Sequence, residues 1–213
     1  MVIKELLFVA AAPVMLRSGG LYAQDQGWYM GVGIGQSHTT EVASCSTLNR
    51  NFPGFPCHNK STSTGAKLSG GYQFNENVGL EASYVNLGKF TMSSSGTFGG
   101  GAPFTASGRD KVSGFSVDIV RTWPMTSKFG ALGRVGVFRW TLDDSTSAFL
   151  GGPIEMSNKP SGNSLDFGIG VKYDLGGNIG VRAELQRFQS IGNSTTGKAD
   201  VDSISASVVY RFK

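Results

Sequence analysis

Eight charged residues occupy the polar positions of segments in which every second residue is apolar. Four are basic and four are acidic: Lys67, Arg134, Lys172, Arg182, Glu81, Asp118, Asp166 and Glu184. Charges withdrawn from water are tolerated when they are paired and hydrogen-bonded. The equal numbers therefore predict an internal ionic network. Two roles fit it: structural packing, which we favour, and a gate built around Glu81 and Arg182 at mid-strand.

Side chains suited to catalysis are scarce. The only histidines are His38 and His58, whereas nucleophilic catalysis of the kind that acts on lipid A needs a serine, a histidine and a carboxylate together. His38 precedes Thr39, Thr40 and Glu41, and local polarity accounts for this run. We expect no enzyme, no cofactor and no metal; a lipid A-modifying enzyme is the less favoured alternative.

The two cysteines, Cys45 and Cys57, lie in one polar stretch that contains prolines. In an exported protein, an even number at close spacing predicts a disulfide. A bridge of this loop length stabilises by roughly 3 kcal/mol in the chain-entropy model. A zinc site is the alternative, but it needs more ligands than these cysteines and His58 supply.

The beginning of the chain has the features of a secretory signal. Lys4 supplies positive charge, residues 6–16 are apolar, and the segment ends on Leu21-Tyr22-Ala23. We predict a signal peptide over residues 1–23 and one domain over 24–213; a short N-terminal helix is the alternative. The net charge is +4, but the basic residues are scattered, so no nucleic-acid partner is expected.

The charged residues are positioned by eight segments with a period of two, which is typical of strands with one apolar face. Their connections alternate between short turns (75–77, 124–128, 175–178) and long polar loops (38–63, 88–110, 142–163, 189–200). This arrangement is typical of bacterial outer-membrane barrels, with short turns in the periplasm. The segments are 27–37, 64–74, 78–84, 111–123, 129–141, 164–173, 179–186 and 204–212.

The pattern predicts an all-β fold: an eight-stranded antiparallel up-and-down transmembrane barrel, with the apolar face toward lipid and both mature termini in the periplasm. A soluble barrel or sandwich is the alternative. The many glycines on the polar face argue against it, because a narrow lumen needs small residues and a solvated face does not. Aromatic residues near strand ends predict interfacial girdles: Trp28, Tyr72, Tyr84, Trp123, Tyr173, Tyr210 and Phe212.

Several stretches resemble the transmembrane barrel of the OmpA family over residues 27–212. They are GWYMGVGIGQS, SGGYQFNENVGLEASYVNLGKF, GRVGVFRW, VKYDLGGNIGVRAELQRFQSIGN and the final VVYRF. The resemblance implies a barrel with charged residues inside, and by position Glu81, Arg134, Arg182 and Glu184 fall on that interior network.

These observations predict a protein of the Gram-negative outer membrane with a structural or surface-interaction role. Its loops would be displayed outside, and its lumen would be charged and largely plugged. Expected partners are outer-membrane lipids and lipopolysaccharide, the barrel-insertion machinery through the C-terminal strand, and a host or phage ligand at the loops. The alternative function is a narrow, porin-like channel for ions or small solutes.

Overall fold

A computed structural model describes residues 26–39, 56–97, 103–150, 152–193 and 197–212. The regular elements of these ranges are ten strands. They are β1 (Gly27–Thr39), β2 (Cys57–Lys60), β3 (Thr62–Gln73), β4 (Val78–Thr97), β5 (Pro103–Pro124), β6 (Phe129–Leu150), β7 (Pro153–Asn158), β8 (Ser161–Gly176), β9 (Ile179–Asn193) and β10 (Gly197–Arg211). In the described part of the chain, no helix is long and apolar enough to cross a bilayer.

Eight of these strands form a closed antiparallel barrel. Around the barrel the order is β1, β3, β4, β5, β6, β8, β9 and β10, and β10 pairs again with β1. β2 and β7 lie outside the circle, where they pair with β4 and β6. The predicted fold class is confirmed, and closure leaves the barrel wall without an unpaired edge.

Short turns mark one end of the barrel, which we call the turn end; the opposite end is the loop end. In the first turn, Asn75 Oδ1 accepts the backbone N–H groups of Asn77 and Val78, both at 2.9 Å. The described termini also meet at the turn end, where the Phe212 N–H donates to the Trp28 carbonyl at 2.8 Å. These two hydrogen bonds of Asn75 explain why the turn between β3 and β4 needs so few residues.

The outer face of the barrel carries an apolar belt of exposed side chains. On β1 and β8, Ile34 is 71% exposed and Ile169 is 67% exposed. The belt of β5 runs from Trp123 to Phe115, about 27 Å along a tilted strand, which suits the ~25 Å apolar band of membrane barrels. Arg121 interrupts it near the turn end, where its guanidinium lies 5.6 Å from the centroid of the Trp123 ring. Beyond the belt at the loop end, the next outward residues are polar on all eight strands: Gln36, Thr64, Asn86, Ser113, Arg139, Asn163, Arg187 and Asp202.

The predicted girdle residues divide between the two margins of the belt. Tyr84 lies at the loop-end margin, with its ring centroid 5.2 Å from that of Phe115. The turn-end margin holds paired rings, among them Trp28 and Tyr72 at 5.2 Å. The remaining predicted members, Trp123, Tyr173, Tyr210 and Phe212, lie with them near the turn end.

Three connections predicted as long loops are largely strand. β4 and β5 stay paired from Gly88 and Val112 out to Thr97 and Pro103. The predicted loop over 88–110 therefore belongs to this hairpin, except for residues 98–102, which lie outside the described ranges. β6 likewise runs through 142–150, and β9 and β10 take up most of 189–200. The prediction failed because backbone pairing satisfies N–H and C=O groups whatever the side chains are.

These extensions form a five-stranded sheet beyond the loop end. It contains β2, β7 and residues 88–97, 103–112 and 142–150, in the order β2-β4-β5-β6-β7. We call it the projecting sheet. It leaves the barrel on one side only, because the paired parts of β8, β9, β10, β1 and β3 are shorter.

A charge in the belt is expected to be costly. Replacing Ile169→Lys at mid-belt should lower the free energy of unfolding by about 3 kcal/mol, because the ammonium group must sit in lipid. Asn163→Lys on the same strand, beyond the belt, should cost less than about 1 kcal/mol. Denaturant titration in lipid vesicles measures both values; equal costs would contradict the placement of the belt.

Candidate functional site

The lumen contains an ionic network centred on Arg134 of β6. Its guanidinium contacts three carboxylates from three other strands: Nη1 lies 3.0 Å from Glu184 Oε1, and Nη2 lies 2.5 Å from Glu81 Oε1 and 3.3 Å from Asp118 Oδ2. The Arg134 side chain is 0% exposed. Because β6, β9, β4 and β5 converge on one cation, the network ties opposite walls of the barrel together.

Glu81 is the most connected acid of the network. Besides Arg134, its carboxylate contacts Arg182 Nη1 at 2.7 Å and Lys67 Nζ at 3.5 Å. It also accepts hydrogen bonds from the Tyr29 hydroxyl at 3.0 Å and from Ser83 Oγ at 3.3 Å. The Arg182 guanidinium lies 4.9 Å from the centroid of the Tyr29 ring. These contacts offset the loss of water around a fully buried carboxylate.

On the other side of the network, two aspartates lie beside neutral polar side chains. Ser116 Oγ lies 2.9 Å from Asp118 Oδ2 and 2.7 Å from Asp166 Oδ2. Gln186 Nε2 donates to Asp166 Oδ1 at 2.9 Å, and its Oε1 accepts from Lys67 at 3.4 Å. Sequence reasoning missed Ser116 and Gln186 because it selected charges. Both residues occupy inward positions of the two-residue period, and that was the signal available in the sequence.

Contacts join seven of the eight predicted charged residues in the buried network: Lys67, Arg134, Arg182, Glu81, Asp118, Glu184 and, through Ser116, Asp166. The eighth, Lys172, lines a vestibule of about 990 Å³ that opens at the turn end. The vestibule reaches inward to Tyr29 and Arg182, so water has access to that side of the network.

An apolar plug fills the lumen between the network and the loop end. The phenylalanine rings of Phe138 and Phe188 meet at its centre with centroids 4.7 Å apart, and both residues are 0% exposed. Trp140 also packs here, and its Nε1 donates to Ser164 Oγ at 2.9 Å. The plug comprises Val85, Leu87, Phe90, Val112, Phe138, Trp140, Leu142, Phe188, Ile191 and Val201.

The plug corrects the expectation that the inward face is polar throughout. Phe138, Trp140 and Leu142 follow Arg134 at intervals of two, so the signal was present in the sequence. Phe90 was hidden, because the register shifts between Asn86 and Gly88 and a bulge of this kind turns later side chains to the other face. Gly88 has φ +90°, a conformation that favours glycine.

An acidic pair lies beyond the plug, at the mouth of the loop end. Asp110 of β5 and Asp144 of β6 are direct cross-strand partners. Burial, together with the negative charge of Asp144 and a hydrogen bond to it, raises the pKa of Asp110 from 3.8 to about 6. Like charges directly opposite each other destabilise a strand pair, so this pair weakens the hairpin when both groups are ionised.

The other candidate residues do not assemble into a site. His38 Nδ1 lies 3.3 Å from Thr62 Oγ1, and His58 lies in β2 opposite Ser93. Among the described residues, no group of three or more His, Cys, Asp or Glu side chains is placed to hold a metal. Cys57 opens β2 opposite Ser94. Cys45 and the predicted signal peptide lie outside the described residues, so both expectations stay predictions.

Removing the central cation should destabilise the barrel strongly. Arg134→Met leaves three buried carboxylates without their shared partner, and we expect a loss of about 3–5 kcal/mol in the free energy of unfolding. Lys172→Met is the matched control, and it should cost much less because the vestibule is open to water. Denaturant unfolding in micelles measures both; equal losses would show that the network adds nothing to stability.

The acidic pair predicts a pH dependence. Because the folded-state pKa of Asp110 exceeds its unfolded value, this residue's contribution to stability falls as pH rises from about 4 to about 6 and is constant above. Asp110→Asn should therefore raise the urea midpoint at pH 7.5 and leave it unchanged at pH 4. Ser107→Asn on the same strand serves as control. An Asp110→Asn effect of equal size at both pH values would exclude charge repulsion as the cause.

Comparison with known proteins assigns the family. The family model described as OmpA-like transmembrane domain matches residues 23–213. Outer membrane protein A of Klebsiella pneumoniae is 28% identical over 193 residues, covering 89% of this chain and 52% of the relative. The counterpart from Klebsiella aerogenes is 31% identical over 199 residues, covering 89% of this chain and 49% of the relative. The chain thus spans about half the length of the curated relatives it matches.

A solved structure supports the fold. The crystal structure of Ail, the attachment invasion locus protein of Yersinia pestis, matches with a TM-score of 0.52 at 17% identity, covering 88% of this chain and 99% of that one. At this identity the likeness concerns the fold alone. With the family match over nearly all of the barrel, it follows that this chain belongs to the OmpA-like transmembrane domain family and is a β-barrel of the Gram-negative outer membrane.

Proposed function

We propose that this protein is a sealed membrane anchor that displays a rigid projecting sheet and its loops at the cell surface, with a structural or surface-interaction role and no catalytic one. The observation that carries the proposal is the apolar plug stacked on the ionic network. The loop end then faces the outside of the cell, and the short turns and both mature termini face the periplasm. The position of the projecting sheet beyond the polar margin of the belt supports that assignment.

The lumen has two successive barriers to ions. The first is the network, in which Arg134 is fully buried and joined to three carboxylates. The second is the plug, where the rings of Phe138 and Phe188 are fully buried and in contact. An eight-stranded barrel is only wide enough for side chains to fill. The vestibule is therefore a blind, water-accessible recess.

The part of the structure beyond the loop end supports the display role. β7 is exposed along all six of its residues, and within the described ranges each of the two outer strands of the projecting sheet, β2 and β7, pairs on one side only. Lipopolysaccharide, a host or phage ligand, and the insertion machinery acting on the C-terminal strand remain the proposed partners. We also infer that residues 1–23 are removed on export and that Cys45 and Cys57 form a disulfide that ties the first loop to β2.

The alternative function is a narrow channel. The vestibule favours it, because this recess of about 990 Å³ ends at Arg182, which is ion-paired to Glu81. Opening a path from there would require two changes at once. The Glu81 contacts would have to rearrange, and the plug would have to part.

Conductance in planar bilayers decides between the two functions. We expect the wild-type protein and Glu81→Lys to show no channel steps, because the plug blocks the lumen in both. The triple variant Glu81→Lys, Phe138→Ser, Phe188→Ser should admit ions, because it disrupts the network and the plug together. Phe149→Ser in the projecting sheet is the control and should stay silent.

The opposite result supports the channel. Wild-type steps whose size changes on reversing the charge of Glu81 would contradict the sealed anchor. Heat-modifiable migration on a gel, recorded for each variant, separates a closed barrel from one that failed to fold.

A further inference from the structure

Five basic residues form a patch on the outer face of the barrel and the projecting sheet. Lys60 lies on β2, Lys89 on β4, Arg109 and Lys111 on β5, and Arg139 on β6. We call them the basic patch. All five lie on the loop-end side of the apolar belt, and each side chain is exposed or half-buried.

The basic patch holds more positive charge than its neighbours neutralise. Lys89 and Lys111 are direct cross-strand partners, an arrangement that is destabilising without an anion beside them. Asp143, the cross-strand partner of Lys111 on β6, is a carboxylate beside this pair, and it also forms an ion pair with Lys159 at 2.8 Å. Among the described residues the five basic side chains form no ion pair within 4.0 Å, so an external anion would add to the partial neutralisation that Asp143 gives.

The opposite side of the barrel is different. There Arg187 meets Asp202 through two contacts, Nε to Oδ1 at 2.6 Å and Nη2 to Oδ2 at 2.7 Å. This bidentate pair satisfies the one cation at the margin of the belt on β9 and β10. Unpaired positive charge is thus concentrated on the side that carries the projecting sheet.

The distances of the basic residues from the margin of the belt indicate what kind of anion fits. Arg139 is the cross-strand partner of Phe115, at the margin of the belt. Lys111 and Arg109 lie four and six residues beyond Phe115, which corresponds to about 13 Å and 20 Å along the strand. A diacyl phospholipid has its phosphate at the margin only, so the upper bases need an anion that extends away from the acyl chains.

A row of small hydroxyl groups lies directly above the basic patch. Ser93, Ser107 and Ser147 are cross-strand neighbours on β4, β5 and β6, and all three are exposed. Each hydroxyl donates one hydrogen bond and accepts two. Glu155 of β7 is the next cross-strand partner of Ser147 and is also exposed. The row and this carboxylate offer hydrogen-bond donors and acceptors to the hydroxyls of a sugar.

We propose that the basic patch and this serine row bind the phosphorylated saccharide headgroup of the glycolipid in the outer leaflet. The proposal rests on the proposed function, because it needs the loop end to face outward. Arg139 and the Lys89–Lys111 pair hold phosphates at two heights, and the serines contact the sugar beyond them. The glycolipid thereby fixes the rotation of the barrel relative to its lipid neighbours.

The test is a titration of the full chain, folded in zwitterionic detergent, with deacylated and phosphorylated lipopolysaccharide oligosaccharide. The double variant Lys89→Gln, Lys111→Gln should bind it roughly 30-fold more weakly than wild type. The matched control, Lys128→Gln with Lys198→Gln, removes the same charge elsewhere and should bind as wild type does. The probes for comparison are the dephosphorylated oligosaccharide and glycerophosphoglycerol, the soluble headgroup of phosphatidylglycerol.

Weak binding of both comparison probes supports the proposal. Three results overturn it: no binding of the phosphorylated oligosaccharide by wild type, equal weakening in the control variant, or equally tight binding of glycerophosphoglycerol. Labelling of intact cells with an impermeant maleimide tests the orientation separately, with Thr105→Cys expected to react and Thr126→Cys to stay protected. Labelling without oligosaccharide binding defeats this inference alone, whereas the reverse labelling pattern defeats the proposed function.

Discussion

An interior only eight strands wide must be filled by side chains, and every charge in it must find partners there. Arg134 meets this constraint by contacting Glu81, Asp118 and Glu184 at once. The rest of the barrel is arranged around that cation. Gly136 has no side chain because a Cβ there would lie 2.4 Å from Asp118 Oδ1. The glycines and serines of the inward face leave the room that long charged side chains occupy.

The lumen is organised in layers along the barrel axis, and the layers differ in polarity and in exposure to water. The vestibule is open at the turn end, the network is buried but polar, and the plug is apolar. Because a buried ion pair gains from exclusion of water only when all its groups are satisfied, the network benefits from being closed on the loop side by Phe138 and Phe188. The mouth beyond carries Asp110 and Asp144 as cross-strand partners.

The outside of the molecule follows a second pattern. The apolar belt ends at a polar residue on every strand, and above it the wall continues on one side as the projecting sheet. That asymmetry places the unpaired bases and the serine row on the same side, while Arg187 and Asp202 neutralise each other on the opposite side. The sealed anchor and the glycolipid contact are thus compatible, since one uses the inward faces of the strands and the other uses their outward faces.

The period of two in the amino-acid sequence was sufficient to predict the eight strands, their antiparallel closure and which residues within the predicted segments point inward, because side chains alternate along a regular strand. The period could not show how far along the barrel axis each inward residue lies. Whether Phe138 packs in a plug or Lys172 reaches a vestibule depends on stagger between strands, which only closure of the barrel sets. The bulge at Gly88 and the extension of serine-rich segments into the projecting sheet were also decided by tertiary pairing. Backbone hydrogen bonds between strands form whatever the side chains are, so they produce no periodic pattern in the sequence of either strand.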